Sequence, residues 1–200
     1  MKKFVTAMGL IALALTSCTE QPKEAAWIVD KFDDIKIIRY EVPEFENLPL
    51  NEKLLVYYLA ESAKCGRDTM FDQNFKYNLT ILRALEQIYT TYEGDKSCPQ
   101  FVAMEKYLKK VWFANGIHHH YSNDKFKPEF PMAWFSEQID KYVKEPQADK
   151  DLLLHVIFKE DLFAVRLNQT DGVDMVVASA CNYYEGIKMA EVEKFYADMV

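Results

Sequence analysis

The sequence predicts a mainly α domain (α+β), and three observations carry that prediction. Apolar residues recur at helical spacing in five separate segments, the pattern of an amphipathic helix. Glycine or Asn-Gly follows three of these segments, at Gly66, Gly94 and Asn115-Gly116, and ends each helix, Gly66 as a residue that tolerates a left-handed cap. Only one stretch reads clearly as strand: D-D-I-K-I-I-R-Y-E-V (33–42), rich in β-branched residues and stopped by Pro43.

The amino terminus is set apart from this fold. Lys2 and Lys3 precede an apolar run from Phe4 to Leu15, the charge and length of a secretory signal and short for a spanning helix. Leu15-Thr16-Ser17-Cys18 resembles a bacterial lipobox, so 1–17 is expected to be a lipoprotein signal peptide and Cys18 the lipidated residue. Residues 18–31 follow as lipid anchor and tether, and 32–200 form the domain. The expected location is the bacterial cell envelope, lipid-anchored and facing the periplasm or the surface. Loss of Lys2 and Lys3 with the signal moves the net charge from −7 to −9. So acidic a chain disfavours nucleic acid, and its attachment to a membrane is expected through the N-terminal lipid. The 12 Tyr and 13 Phe supply enough apolar area for a core. Cys65, Cys98 and Cys181 show no C-x-x-C spacing and are expected to be buried free thiols.

Along the domain, Leu50, Leu54, Leu55, Tyr58 and Leu59 mark a helix ending near Cys65-Gly66. Tyr77, Ile81, Leu82, Leu85, Ile88, Tyr89 and Tyr92 mark the next, ended by Gly94. Ser97 is a good N-cap for a third, with Phe101, Met104, Leu108, Val111 and Trp112 on one face. From Asn115 to Pro131 the chain reads as an extended connection, and loops of that length are often functional. Trp134–Val143 is again helical, whereas Leu152–Phe158 and Asp174–Ala180 suit either helix or strand. A last helix is expected to turn Val192, Phe195, Tyr196 and Met199 inward, and it is still periodic at Val200, as in a chain cut within an element.

The stretch N-G-I-H-H-H-Y-S-N-D-K-F (115–126) holds three of the four histidines. A catalytic zinc needs three protein ligands plus water, and a structural one needs four. Alternation along an extended segment lets His118 and His120 share a face and excludes His119, so the triplet alone supplies at most two. No H-E-x-x-H, G-x-S-x-G or glycine-rich phosphate loop occurs. The sequons Asn78-Leu79-Thr80 and Asn168-Gln169-Thr170 carry little meaning on a bacterial-type lipoprotein. A metal-binding module built on the triplet is therefore the weakest functional reading.

Five stretches, F-D-D-I-K-I-I-R-Y-E-V-P-E-F-E (32–46), L-V-Y-Y-L-A-E-S-A-K-C-G-R-D (55–68), F-D-Q-N-F-K-Y-N-L-T (71–80), W-F-A-N-G-I-H-H-H-Y-S-N-D-K-F (112–126) and A-C-N-Y-Y-E-G (180–186), resemble the amino-terminal region of Bacteroides-type dipeptidyl peptidase III. The resemblance implies the first part of the lower, non-zinc lobe of a two-lobed zinc metallopeptidase that releases dipeptides from the N-termini of short peptides. It implies zinc in the complete enzyme, held on H-E-x-x-G-H and E-E-x-R-A-[ED] motifs that this chain does not contain. No catalytic or metal residue is assigned here, and no cofactor is expected to be bound by this chain. The loop would contribute a cleft wall, with Asn115, His118, His119, His120, Tyr121, Asn123 and Asp124 as substrate-cleft candidates. The alternative is a non-catalytic helical envelope lipoprotein that binds peptides or glycans.

Overall fold

The computed structural model describes residues 27–144 and 150–199. The expected signal peptide, Cys18 and most of the tether lie outside the described residues. The chain divides into two units, 1–41 and 42–200.

The first unit contains an antiparallel hairpin of β1 (Ile28–Phe32) and β2 (Ile35–Ile38), with Phe32 opposite Ile35 and Ile28 opposite Ile38. The turn falls at Asp33-Asp34, where Asp33 takes φ 52°, a left-handed conformation that aspartate adopts more readily than most residues. The strand expected over 33–42 is therefore shorter at both ends: Asp33 and Asp34 form the turn, and β2 stops at Ile38, with 39–42 outside it. Its partner β1 includes Ile28–Lys31, the last residues of the segment assigned to the tether.

The second unit is helical. Its helices are α1 (Leu50–Cys65), α2 (Arg67–Asn74), α3 (Asn78–Thr91), α4 (Pro99–Ala114), α5 (Met132–Tyr142), α6 (Lys150–Phe158), α7 (Met175–Ala178) and α8 (Met189–Ala197). The protein is thus mainly α with one small sheet among the described residues. The core is built by α3 and α4. Ile81, Leu85 and Ile88 form a stripe on α3, and Phe101, Met104, Leu108 and Val111 form a stripe on α4, all fully or almost fully buried. Both follow the 3.6-residue repeat, so a single face of each helix goes inward. Helix α5 adds Phe135 and Ile139, and α6 adds Leu153, Val156 and Ile157. These spacings of three and four residues show why the ambiguous 152–158 run is helix. The second ambiguous run contains only the single turn of α7, whose start is capped by Asp174 Oδ1 accepting from Val176 N and Val177 N at 3.0 and 3.2 Å.

Four expectations are corrected. Helix α4 begins one residue later than a Ser97 cap implies, because Pro99 takes the first helical position and Cys98 becomes the cap. Ser97 instead closes a turn with Asp95, both its amide and its hydroxyl donating to Oδ1, at 2.8 and 2.6 Å. Phe195, Tyr196 and Met199 do not face inward: on α8 only Val192 is buried, and the others are 56–67 % exposed. Helix α1 forms as its spacing predicts, but Gly66 ends it at φ −78° rather than in the left-handed conformation, and Leu50, Leu55, Tyr58 and Leu59 are all more than half exposed. The three described thiols are free, but none is buried; Cys65 is exposed and Cys98 and Cys181 are partly covered. Each lies at a helix end or in an edge segment rather than on a core-facing stripe.

No helix of the described residues is long and apolar enough to cross a membrane.

Candidate functional site

Asn115 and Gly116 set the geometry of the loop that follows α4. Asn115 caps the helix at φ 53°, and Gly116 continues at φ 147°. A Cβ on Gly116 would lie 2.1 Å from Asn78 Nδ2, so only glycine fits. Asn78 is fully buried and stitches three segments together. Its Nδ2 donates to Phe71 O at 3.0 Å, and its Oδ1 accepts from Ile117 N at 3.1 Å. A side chain so enclosed is also closed to glycosylation in the folded protein. Asn74 Nδ2 donates to Asn115 O at 3.0 Å, which ties α2 to the same corner.

The loop is not structureless. Phe126 N donates to Ile117 O at 2.8 Å, His119 N to Asp124 O at 2.7 Å, and Lys125 N to Ala164 O at 2.9 Å. Isolated bridges pair His118 with Lys125 and Asp124 with Val165. Arg166 N donates to Asn123 O at 2.8 Å, and Ala180 N to Val165 O at 3.1 Å. The segments 117–126, 164–166 and 180–182 therefore form a small irregular ladder that satisfies backbone groups without a named strand.

The three histidines have three different settings. His118 points into the core with 2 % exposure, its ring edge-on to Phe75, and Nε2 lies 2.8 Å from Phe163 O. That bond requires Nε2 to carry the proton, which leaves Nδ1 as a buried acceptor without a hydrogen bond. Burial pushes its pKa down to about 4, and the Phe163 carbonyl offsets this only partly. His119 holds the loop's tip: Nδ1 accepts from Tyr121 N and Ser122 N at 3.2 and 3.1 Å. The chain turns there, so strict alternation ends at His119. His120 consequently stacks on His119 at 4.5 Å and meets Phe113 edge-on, rather than sharing a face with His118. Tyr121 is 83 % exposed at the tip.

Asn123 takes φ 65° and is clamped by a residue that sequence reading did not single out, Arg166. The guanidinium donates through Nε and Nη2 to Asn123 Oδ1 at 3.0 and 2.9 Å, and through Nη1 to Asn74 Oδ1 at 2.9 Å. One planar cation thus fixes α2 against the loop. Arg166 lies in a stretch without periodicity or motif, so nothing in the sequence signalled it. Lys125 carries no such signal either. Its ammonium donates to Val156 O, Lys159 O and Leu162 O at 3.0, 2.6 and 2.6 Å, closing the C-terminal end of α6. Desolvation lowers its pKa, against the pull of Asp161 and Glu160.

Asp124 is exposed and lines a cleft of about 510 Å³ between the loop and the end of α6. A second cleft, of about 380 Å³, opens beside Phe75, Phe163, Cys181 and Tyr184. Among the described residues no group of three or more His, Cys, Asp or Glu side chains is placed to hold a metal ion. With His118 Nε2 spent on a carbonyl and His119 Nδ1 on two amides, the triplet does not fit a zinc ion, and no chemical step is derived through one. What the loop offers is a rigid polar edge: an exposed phenol, an ordered carboxamide and a carboxylate beside an apolar cleft. No family model matches the sequence, and no curated protein matches it.

Proposed function

We propose that this chain is the amino-terminal part of a lipid-anchored zinc dipeptidyl peptidase of the dipeptidyl peptidase III type. It would supply a helical wall of the peptide cleft, with the zinc-binding motif lying outside it. The observation that carries this reading is α1. Its sequence L-N-E-K-L-L-V-Y-Y-L-A-E-S-A-K-C is apolar on more than one side, yet none of its residues is buried. Leu50, Leu54, Leu55, Val56, Tyr57, Tyr58 and Leu59 are all 45–71 % exposed. A contiguous exposed apolar patch of this kind marks a surface that another body covers. A second lobe or further helices of a larger enzyme would be such a body.

Hydrolysis is not a task for these residues. The Asn115–Phe126 loop would position peptide, holding its polar ends through Tyr121, Asn123 and Asp124 while the cut is made elsewhere. A non-catalytic envelope lipoprotein that binds peptides is the second reading. It is favoured by the cleft beside Asp124, which is complete within residues 124–164 and needs no further chain.

The gene decides between them. An open frame continuing past the Val200 codon into H-E-x-x-G-H is the expected result, whereas a stop codon followed by an unrelated gene overturns the first reading. The purified chain with added zinc should release nothing from a chromogenic Arg-Arg substrate. Turnover above buffer would show that these residues hold catalytic machinery after all.

A further inference from the structure

We infer that the exposed face of the β1–β2 hairpin is a second membrane contact, seated on the headgroup layer of an anionic phospholipid leaflet. The inference rests on the reading of Cys18 as the lipid anchor, and it adds the surface that orients the anchored chain.

Exposure alternates along both strands. Ile28, Asp30 and Phe32 on β1 and Ile35 and Ile37 on β2 are half-buried, whereas Val29, Lys31, Lys36 and Ile38 are exposed. The irregularity between Ile28 and Asp30 leaves this alternation intact, so the exposed set shares one face. Trp27 and Tyr40 continue the same alternation just beyond the strand ends. Trp27 and Val29 are 53 % exposed, Ile38 38 % and Tyr40 80 %. These four lie at the open end of the hairpin, where Arg39 N donates to Trp27 O at 2.8 Å. Aromatic rings with a polar edge, set beside aliphatic side chains, partition to the bilayer interface. Nearer the turn the same face carries Lys31 directly opposite Lys36. Like charges so placed repel, and among the described residues neither ammonium makes an ion pair. Phosphate headgroups supply the missing counter-charge. Asp30 belongs to the opposite face, and Asp33 and Asp34 form the turn, the end farthest from the tether. Trp27 stands nine residues after Cys18, a length of chain that reaches at most about 30 Å. The open end of the hairpin is therefore held close to the leaflet, where even a weak contact is populated. The acidic chain as a whole is repelled by an anionic surface, so this face orients an anchored molecule rather than recruiting a free one.

The test uses the mature chain with acylation of Cys18 checked by mass, reconstituted into phosphatidylcholine vesicles with and without phosphatidylglycerol. Tryptophan emission is read with lipids brominated along the acyl chain, which quench only rings that reach the interface. The chain has three tryptophans, and the difference between wild type and Trp27→Phe isolates the Trp27 signal from those of Trp112 and Trp134. Trp27 emission should be quenched and blue-shifted in the anionic vesicles, and added salt should relieve both effects. Lys31→Gln and Lys36→Gln should each lower the ratio of seated to free hairpin about fivefold, the worth of one lysine near an anionic leaflet. Both side chains are exposed and unpaired, so these variants should keep the wild-type urea midpoint. An unquenched Trp27 in acylated, reconstituted protein would overturn the contact and leave the anchor in place. Equal quenching with and without phosphatidylglycerol, or in the double lysine variant, would also remove it, because the headgroup charge would then play no part. A mature chain without acyl groups on Cys18 would take down the anchor and this contact together.

Discussion

His118 carries the clearest physical consequence of any single residue. Its folded pKa, about 4, lies below the ordinary imidazole value because the ring is desolvated against Phe75, and the bond from Nε2–H to Phe163 O offsets only part of that shift. The unfolded chain therefore binds a proton on this ring more readily than the folded one does. Its contribution to stability is fully present above about pH 6.5 and is lost as pH falls toward 4. Over that window the loss is on the order of 2–3 kcal/mol. Replacing the imidazole with a group that still donates to Phe163 O but does not titrate, as in His118→Gln, should flatten this part of the profile. Urea denaturation between pH 7 and 4.5 should show the wild type losing stability more steeply than the variant, and parallel curves would refute the assignment. At this scale the sequence was legible in part. The Asn-Gly break after α4 was visible because only glycine tolerates the φ of Gly116 beside Asn78. The separate settings of the three histidines were not, since they depend on Phe75, Phe113 and Phe163, which lie on other elements.

The elements divide by what covers them. The stripes of α3, α4 and α5 could be read from apolar spacing because each faces a neighbour that returns the burial. Helix α2 escaped notice because it places a single residue, Phe71, in the core and is otherwise polar. Helices α1 and α8 show the opposite failure: the period was present, but a period reports only that a helix has an apolar face, not that something lies over it. Leu55 and Leu59, one turn apart on α1, are 58 % and 61 % exposed. Replacing both with glutamate should leave the urea midpoint almost unchanged, within about 0.5 kcal/mol per site, as for other surface changes. Leu85→Ala on α3, where the side chain is fully buried, should cost about 2–5 kcal/mol. If the α1 pair proved as costly as Leu85→Ala, the helix would be covered in solution, and the argument from its exposure would fail.

At the scale of the whole molecule, the same uncovered faces compete with net charge. The chain carries −7 at pH 7 and has a pI near 5.2, so copies repel one another at neutral pH and cease to do so near pH 5. Once repulsion fades, the apolar residues of α1 and the Phe195, Tyr196 and Met199 cluster are left to find apolar surface on other molecules. Static light scattering from pH 8 to 4.5 should therefore rise to a maximum near pH 5. Added salt at pH 7 should move the behaviour in the same direction, because screening shortens the reach of the repulsion to about 10 Å at 0.1 M. The Leu55→Glu, Leu59→Glu double variant separates the two contributions. It lowers the pI only slightly but interrupts the α1 face, so its scattering at its own pI should fall well below that of the wild type. If the two proteins scattered equally at their respective isoelectric points, charge alone would account for association. The face of α1 would then have no measurable appetite for a partner, and the proposal that a larger body covers it would lose its physical basis.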